Sequence, residues 1–151
     1  MAFVMSLKAL EMHHTELARV AAAAMQQNYQ EAVEICSDLL TSELYQEMSA
    51  EDARRARAET RLLMATAMHY NQAHEDDILR VLNAALDSPP EIQKDAWFTI
   101  AVVRLSCGQK AAAEKAMREC LEVMGEARAK GEGSEELDQK EQEAHRFLEL
   151  L

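Results

Sequence analysis

Turn formers are scarce in this chain of 151 residues, which has two Pro, Pro89 and Pro90, and four Gly, none of them before Gly108. That scarcity excludes collagen-like and loop-rich classes, and it leaves no Gly-rich phosphate loop ahead of residue 108. Cysteine is sparse as well. Cys36, Cys107 and Cys120 are odd in number, widely spaced and without a Cys-x-x-Cys pair. This excludes a disulfide scaffold and a thiolate zinc site, and it points to a reducing, cytoplasmic compartment. Basic side chains are outnumbered 27 to 16 for a net charge of −11, which argues against nucleic acid or an anionic membrane as the main partner. No run approaches the roughly 18 apolar residues of a membrane span. The short apolar patch Ala2, Phe3, Val4 and Met5 lacks the basic start and cleavage site of a signal peptide, so the chain reads as soluble and unexported.

What is plentiful is helix-forming sequence. There are 26 Ala residues, and apolar positions recur at helical spacing, as in Leu7, Leu10, Leu17 and Val20 or Leu62, Ala65 and Met68. The spacing predicts an all-α chain with helices over 6–26, 29–41, 50–70, 76–87, 91–106, 110–130 and 135–151. Polar or capping breaks separate them at Gln26–Tyr29, Asn71–Glu75, Ser88–Pro90, Cys107–Lys110 and Gly131–Ser134, with one longer connector at Ser42–Met48. Ser49 is an N-cap candidate with Asp52 three residues on, and Ser134 caps a last helix with Glu135, Glu136 and Asp138 in its first turn. Turns this short force neighbouring helices antiparallel, giving stacked hairpins.

The hairpins repeat one another. Val20, Ala21 and Ala24 align with Met64, Ala65 and Met68 and with Ile100, Ala101 and Arg104. In the second helices, Ala32, Cys36, Leu39 and Leu40 align with Ile78, Leu82, Ala85 and Leu86 and with Ala113, Met117, Cys120 and Leu121. The third unit, with Trp97, Ala101, the turn residue Gly108 and Ala113, resembles the tetratricopeptide repeats. The first unit adds Asn28, Tyr29, Gln30, Glu31 and Ala32, and the second a closing Pro89. Arg104 stands where that family has tyrosine and Ile78 where it has Ala. The resemblance implies one helical-repeat domain over 1–151, with units at 12–45, 53–90 and 94–125 and a capping helix at 135–151. It also implies a concave groove lined by Met25, Leu62, Thr66, His69, Phe98, Val102 and Leu105. None of these is Lys, Arg or Asn, so the groove is mainly apolar, without the basic clamp some members use on a partner's C-terminal carboxylate. Such a groove either holds a partner's hydrophobic segment or is covered by the chain's own last helix, whose Leu137, Ala144, Leu148 and Leu151 share a stripe with Phe147 beside it.

Other features carry less. Arg54, Arg57 and Arg61, spaced i, i+3 and i+7, form a basic stripe that reads as a solvated face or as a secondary docking patch for an acidic partner. Met64, Met68, Met117 and Met124 sit at core spacing. His13 and His14 point about 100° apart on a helix and are poorly placed to share a metal. His69 and His74 precede Glu75, Asp76 and Asp77, acids that suit a helix start. No Cys has a His three or four residues away to activate it. The expectation is no catalytic residue, no metal and no cofactor. The leading reading is a cytoplasmic, chaperone- or adaptor-like protein holding a partner polypeptide. The alternative is a scaffold or assembly subunit, with a homodimer through the patch Phe3, Val4, Met5 and Leu7 as one form of it.

Overall fold

Four of the helices begin where a side chain satisfies one of their first free N–H groups. The Asn28 carboxamide accepts from Glu31 N, Ser49 from Asp52 N, His74 Nδ1 from Asp76 N and Ser134 from Leu137 N, while Pro90 opens a helix as its first residue. The computed structural model describes residues 2–131 and 133–151, the side chains of residues 2 and 3 excepted. Among the described residues there are seven α-helices and no strand: α1 Ala2–Met25, α2 Tyr29–Thr41, α3 Ala50–Tyr70, α4 Glu75–Ala85, α5 Pro90–Ser106, α6 Lys110–Ala129 and α7 Glu135–Glu149. The all-α expectation holds. The connector after α2 is more than a loop, since Leu44–Glu47 form a 3₁₀ turn. The Gly131–Ser134 break contains Glu132, which lies outside the described residues.

Three interhelical turns share one geometry. Gln27, Gln72 and Gly108 take left-handed backbone at φ 60°, 59° and 77°. In each turn the next N–H reaches back five residues, Asn28 to Ala23 O, Ala73 to Met68 O and Gln109 to Arg104 O, at 2.8–2.9 Å. This is the Schellman closure, which satisfies carbonyls left over at a helix end. The three left-handed residues lie 45 and then 36 positions apart, the offsets at which the apolar pattern repeats.

The chain forms two compact units, residues 1–87 and 88–151. In the first, α2 packs on α1 and α3, and α3 on α4. One apolar cluster (Ala9, Leu39, Tyr45, Met48, Ala53, Ala56) anchors the 3₁₀ turn, and another (Val20, Ala23, Ala32, Cys36, Ala67) lies nearer the α1–α2 turn. In the second, α5 and α6 form a close hairpin over Ala96, Ile100, Ala101, Ala113, Met117, Cys120 and Met124, and α7 packs on α6 through its buried Leu137 and Ala144. Alanines at these positions let the helix axes approach closely. Met117 and Met124 are core residues, as their spacing indicates, while Met64 packs half-buried against the second cluster of the first unit.

Candidate functional site in the first unit

In a chain in which 28% of residues are charged, two stretches carry no Asp, Glu, Lys or Arg: 20–30 in α1 and its turn, and 62–74 in α3 and its turn. The fold brings them together. Val20, Ala21, Ala24 and Met25 of α1, Tyr29 of α2, and Leu63, Thr66, Ala67 and Tyr70 of α3 line an open cleft of about 310 Å³. That volume is at the small end of ligand sites and fits one large side chain. The floor is low because three of its residues are alanines. The far wall is a pair of stacked rings, Tyr29 and Tyr70, 5.4 Å apart and 20° from parallel. Asn71 Nδ2 donates to Gln30 Oε1 at 3.1 Å, tying the end of α3 to the start of α2. Met25 is 86% and Tyr70 62% exposed, so the cleft has apolar lips in solvent. The Thr66 hydroxyl donates to Leu62 O, which leaves its oxygen as the one side-chain acceptor on the α3 side apart from the Tyr70 hydroxyl.

Of the residues expected in a groove, Met25 and Thr66 line this cleft. Leu62 and His69 do not, and their following neighbours Leu63 and Tyr70 do, a displacement of one residue along α3. His69 instead lies beside Tyr70, ring centroids 5.9 Å apart. The remaining three, Phe98, Val102 and Leu105, belong to the second unit, where all are half-buried. There α7 lies over Phe98. The Phe147 ring sits 6.3 Å from it and Lys140 Nζ 4.6 Å from its centroid. Lys140 also approaches Asp95 at 3.6 Å, and Arg128 of α6 pairs with Asp138 and Glu141 of α7, so charged contacts flank the apolar seat of this helix.

The basic stripe is largely engaged. Arg54 Nε donates to Asp87 at 2.7 Å, and the Arg57 guanidinium lies over the Tyr45 ring at 5.2 Å. Arg61 is half-buried. Of the apolar patch at the start of α1, Val4, Met5 and Leu7 are 54%, 51% and 46% exposed, and the Phe3 side chain lies outside the described residues.

Tyr45 and His13 are buried where spacing alone gave little warning. Tyr45, 2% exposed, sets its hydroxyl 2.7 Å from Thr60 Oγ1. The Thr60 proton is already committed to Ala56 O at 3.0 Å, so Tyr45 is the donor. Burial pushes the Tyr45 phenol above its ordinary pKa. His13 is fully buried on the same stripe of α1 as Ala9 and Val20, with neither ring nitrogen hydrogen-bonded. Its Nε2 lies 3.7 Å from Glu59 Oε1, too far for a hydrogen bond. Even so, the imidazole is the main reason the Glu59 carboxyl lies below the usual carboxylate range. The pair joins α1 to α3. His74 is a helix cap, and no group of three metal-ligating side chains occurs among the described residues. Burial pushes the Cys36 and Cys120 thiols up to about 12 and about 11, and Cys107 is exposed.

No family model matches this chain, and no curated protein and no solved structure matches it.

Proposed function

We propose that the protein is a non-enzymatic binding module whose first unit holds an apolar segment of a partner polypeptide in the cleft between α1 and α3. The observation that carries this reading is the coincidence of the two charge-free stretches with an open, aromatic-walled cleft. Leaving Met25 and Tyr70 in water costs about 25 cal/mol for each Å² of apolar surface that a partner would cover. Membership of the tetratricopeptide repeats is part of the same proposal, and the three equivalent turns support it. So is a cytoplasmic, chaperone-like role, supported by acidic composition and by three unpaired cysteines. In the second unit the seat of α7 over Phe98 supports a capping role for that helix.

The test is binding of the neutral dye Nile red to the full chain and to Ala21→Phe, which places a ring in the cleft from an exposed position. The proposal expects dye fluorescence with the native chain and its loss in the variant. Equal dye binding by both would contradict it. A second reading, self-association through exposed Val4, Met5 and Leu7, is favoured by their exposure on one helix end. Light scattering of the full chain and of Met5→Glu separates it, since only self-association predicts a mass that the substitution halves.

A further inference from the structure

The sequence stretches that line the cleft and run on from it past the tyrosine wall carry charge of one sign. From Val20 to Ala53 there are seven acidic and no basic residues, and from Leu62 to Leu79 there are three acidic residues, again with no Lys or Arg. The carboxylates nearest in sequence to the tyrosine wall are Glu31, which begins α2 beside Tyr29, and Glu75, Asp76 and Asp77, which begin α4 just past Tyr70. The Gln30–Asn71 hydrogen bond and the Tyr29–Tyr70 stack hold these two helix starts at the same end of the unit. Arg19, at the other end of the lining stretch of α1, is paired with Glu16 at 2.8 Å, and Arg80 with Asp77 at 3.3 Å. Residues 1–87 carry 14 acidic and seven basic side chains, a net of −7.

The size of the site decides what kind of body enters. Nine residues line it, against the roughly 20–30 residues a side of a stable interface between folded proteins. A second copy of this chain would also bring its own negative charge, so like-charge repulsion opposes it. A short segment that inserts a single anchor meets neither objection. Stacked tyrosine faces beside a Met lip favour an aromatic anchor, through ring–ring and sulfur–aromatic contacts.

We infer that the cleft takes one bulky, preferably aromatic, side chain from a short basic segment of a partner polypeptide, with Lys or Arg flanking the anchor to meet the acidic helix starts. This rests on the partner-holding reading and names its chemistry. Flanking charge acts over a Debye length of about 10 Å at 0.1 M salt, so attraction weakens as salt rises.

The experiment is fluorescence anisotropy of labelled 12-residue peptides with the full chain. One set carries Trp, Phe or Leu between pairs of Lys, a second carries the same anchors between pairs of Glu, and a third replaces the anchor by Ala between Lys pairs. The expected result is binding of the first set, strongest with Trp, at least tenfold weaker binding of the second and third, and loss of binding in both Ala21→Phe and Tyr70→Ala. Ala22→Phe, which adds the same ring at an exposed position outside the cleft, should bind as the native chain does. Far-UV circular dichroism confirms that the variants are folded, and Tyr70 is exposed enough to be replaced if Ala21→Phe is not. Equal binding of Lys- and Glu-flanked peptides would overturn the basic-partner inference while leaving the apolar cleft intact. Binding of Lys peptides regardless of anchor, or unchanged in both cleft variants, would place the contact elsewhere on the acidic surface and overturn it too. If no peptide binds and Nile red does not either, the partner-holding reading itself fails.

Discussion

Replacing Thr60 by Val should destabilise the first unit more than replacing its partner Tyr45 by Phe, although both changes delete one end of the same hydrogen bond. The asymmetry follows from which group is left behind. In Thr60→Val the phenolic O–H of Tyr45, 2% exposed, loses the oxygen 2.7 Å away and is stranded as a buried donor. An unsatisfied buried donor costs about 1–3 kcal/mol, so a loss of about 2 kcal/mol is expected. In Tyr45→Phe the Thr60 hydroxyl keeps its bond to Ala56 O and loses only one accepted hydrogen, for about 1 kcal/mol. Removing both groups leaves nothing stranded in an apolar site, so the double variant should be no worse than about 1 kcal/mol, far below the sum of the two. For a unit of this size about 2 kcal/mol is on the order of 10 °C in Tm. Urea and thermal unfolding followed by far-UV circular dichroism, with near-UV signals from the tyrosines, would measure the cycle. All three tyrosines lie in residues 1–87 and the single Trp97 outside them, so the two units have separate reporters. Additive losses, or Tyr45→Phe as the worse variant, would refute the donor assignment. They would also refute the view that the 3₁₀ turn is fastened to α3 by this bond.

The same structure sets further expectations. Ser134→Ala should cost unit 88–151 about 1 kcal/mol by freeing the Leu137 N–H, read as a lower Trp97 fluorescence midpoint in urea. Gln27→Gly and Gln72→Gly should each stabilise by about 0.5–1 kcal/mol in thermal melts, because glycine takes left-handed backbone without a Cβ clash. Native protein at pH 8 should alkylate with iodoacetamide at Cys107 alone, and mass spectrometry of the peptides would show it. The buried thiols keep their protons where unfolded thiols, with pKa near 8.5, lose them, so stability should fall as pH rises above about 9 toward 12. Glu59 has the opposite sign. Its depressed pKa adds stability above the unfolded carboxylate value and loses it as pH drops through the folded one, and His13→Leu should remove that acid-side loss from unit 1–87.

The helices were legible because their apolar positions are periodic and several starts are marked by a cap. Ser49 and Ser134 do at their N-caps what the residues three positions on suggested. The start of α1 lies four residues before the expected Ser6, since Ala2–Met5 are helix-compatible but carry no capping signal to announce them. The Ser42–Met48 segment read only as a longer connector because a four-residue 3₁₀ turn is too short to show a period. Its order comes from Thr60, 15 positions away. The cleft was half legible. Absence of charge over 20–30 and 62–74 is written in the sequence, yet whether Leu62 or Leu63 and His69 or Tyr70 face α1 depends on how α3 is rotated against it, which helical spacing leaves open by one residue. Burial of Phe98 beneath Phe147 and Lys140 needed the docking of α7, although the stripe holding Leu137 and Ala144 already marked that helix as having a face to hide.

The central claim, that the cleft between α1 and α3 is where a partner segment sits, is tested most directly with the methyl groups already present. The chain has nine methionines, of which Met25 is on the lip of the cleft while Met117 and Met124 are buried in the other unit. A ¹³C-methyl correlation spectrum of methionine-labelled protein, titrated with the Lys-flanked Trp peptide, should move the Met25 signal progressively and leave Met117 and Met124 in place. A Met25 signal that stays fixed while the peptide binds, or that moves no more than the buried ones, would contradict the account.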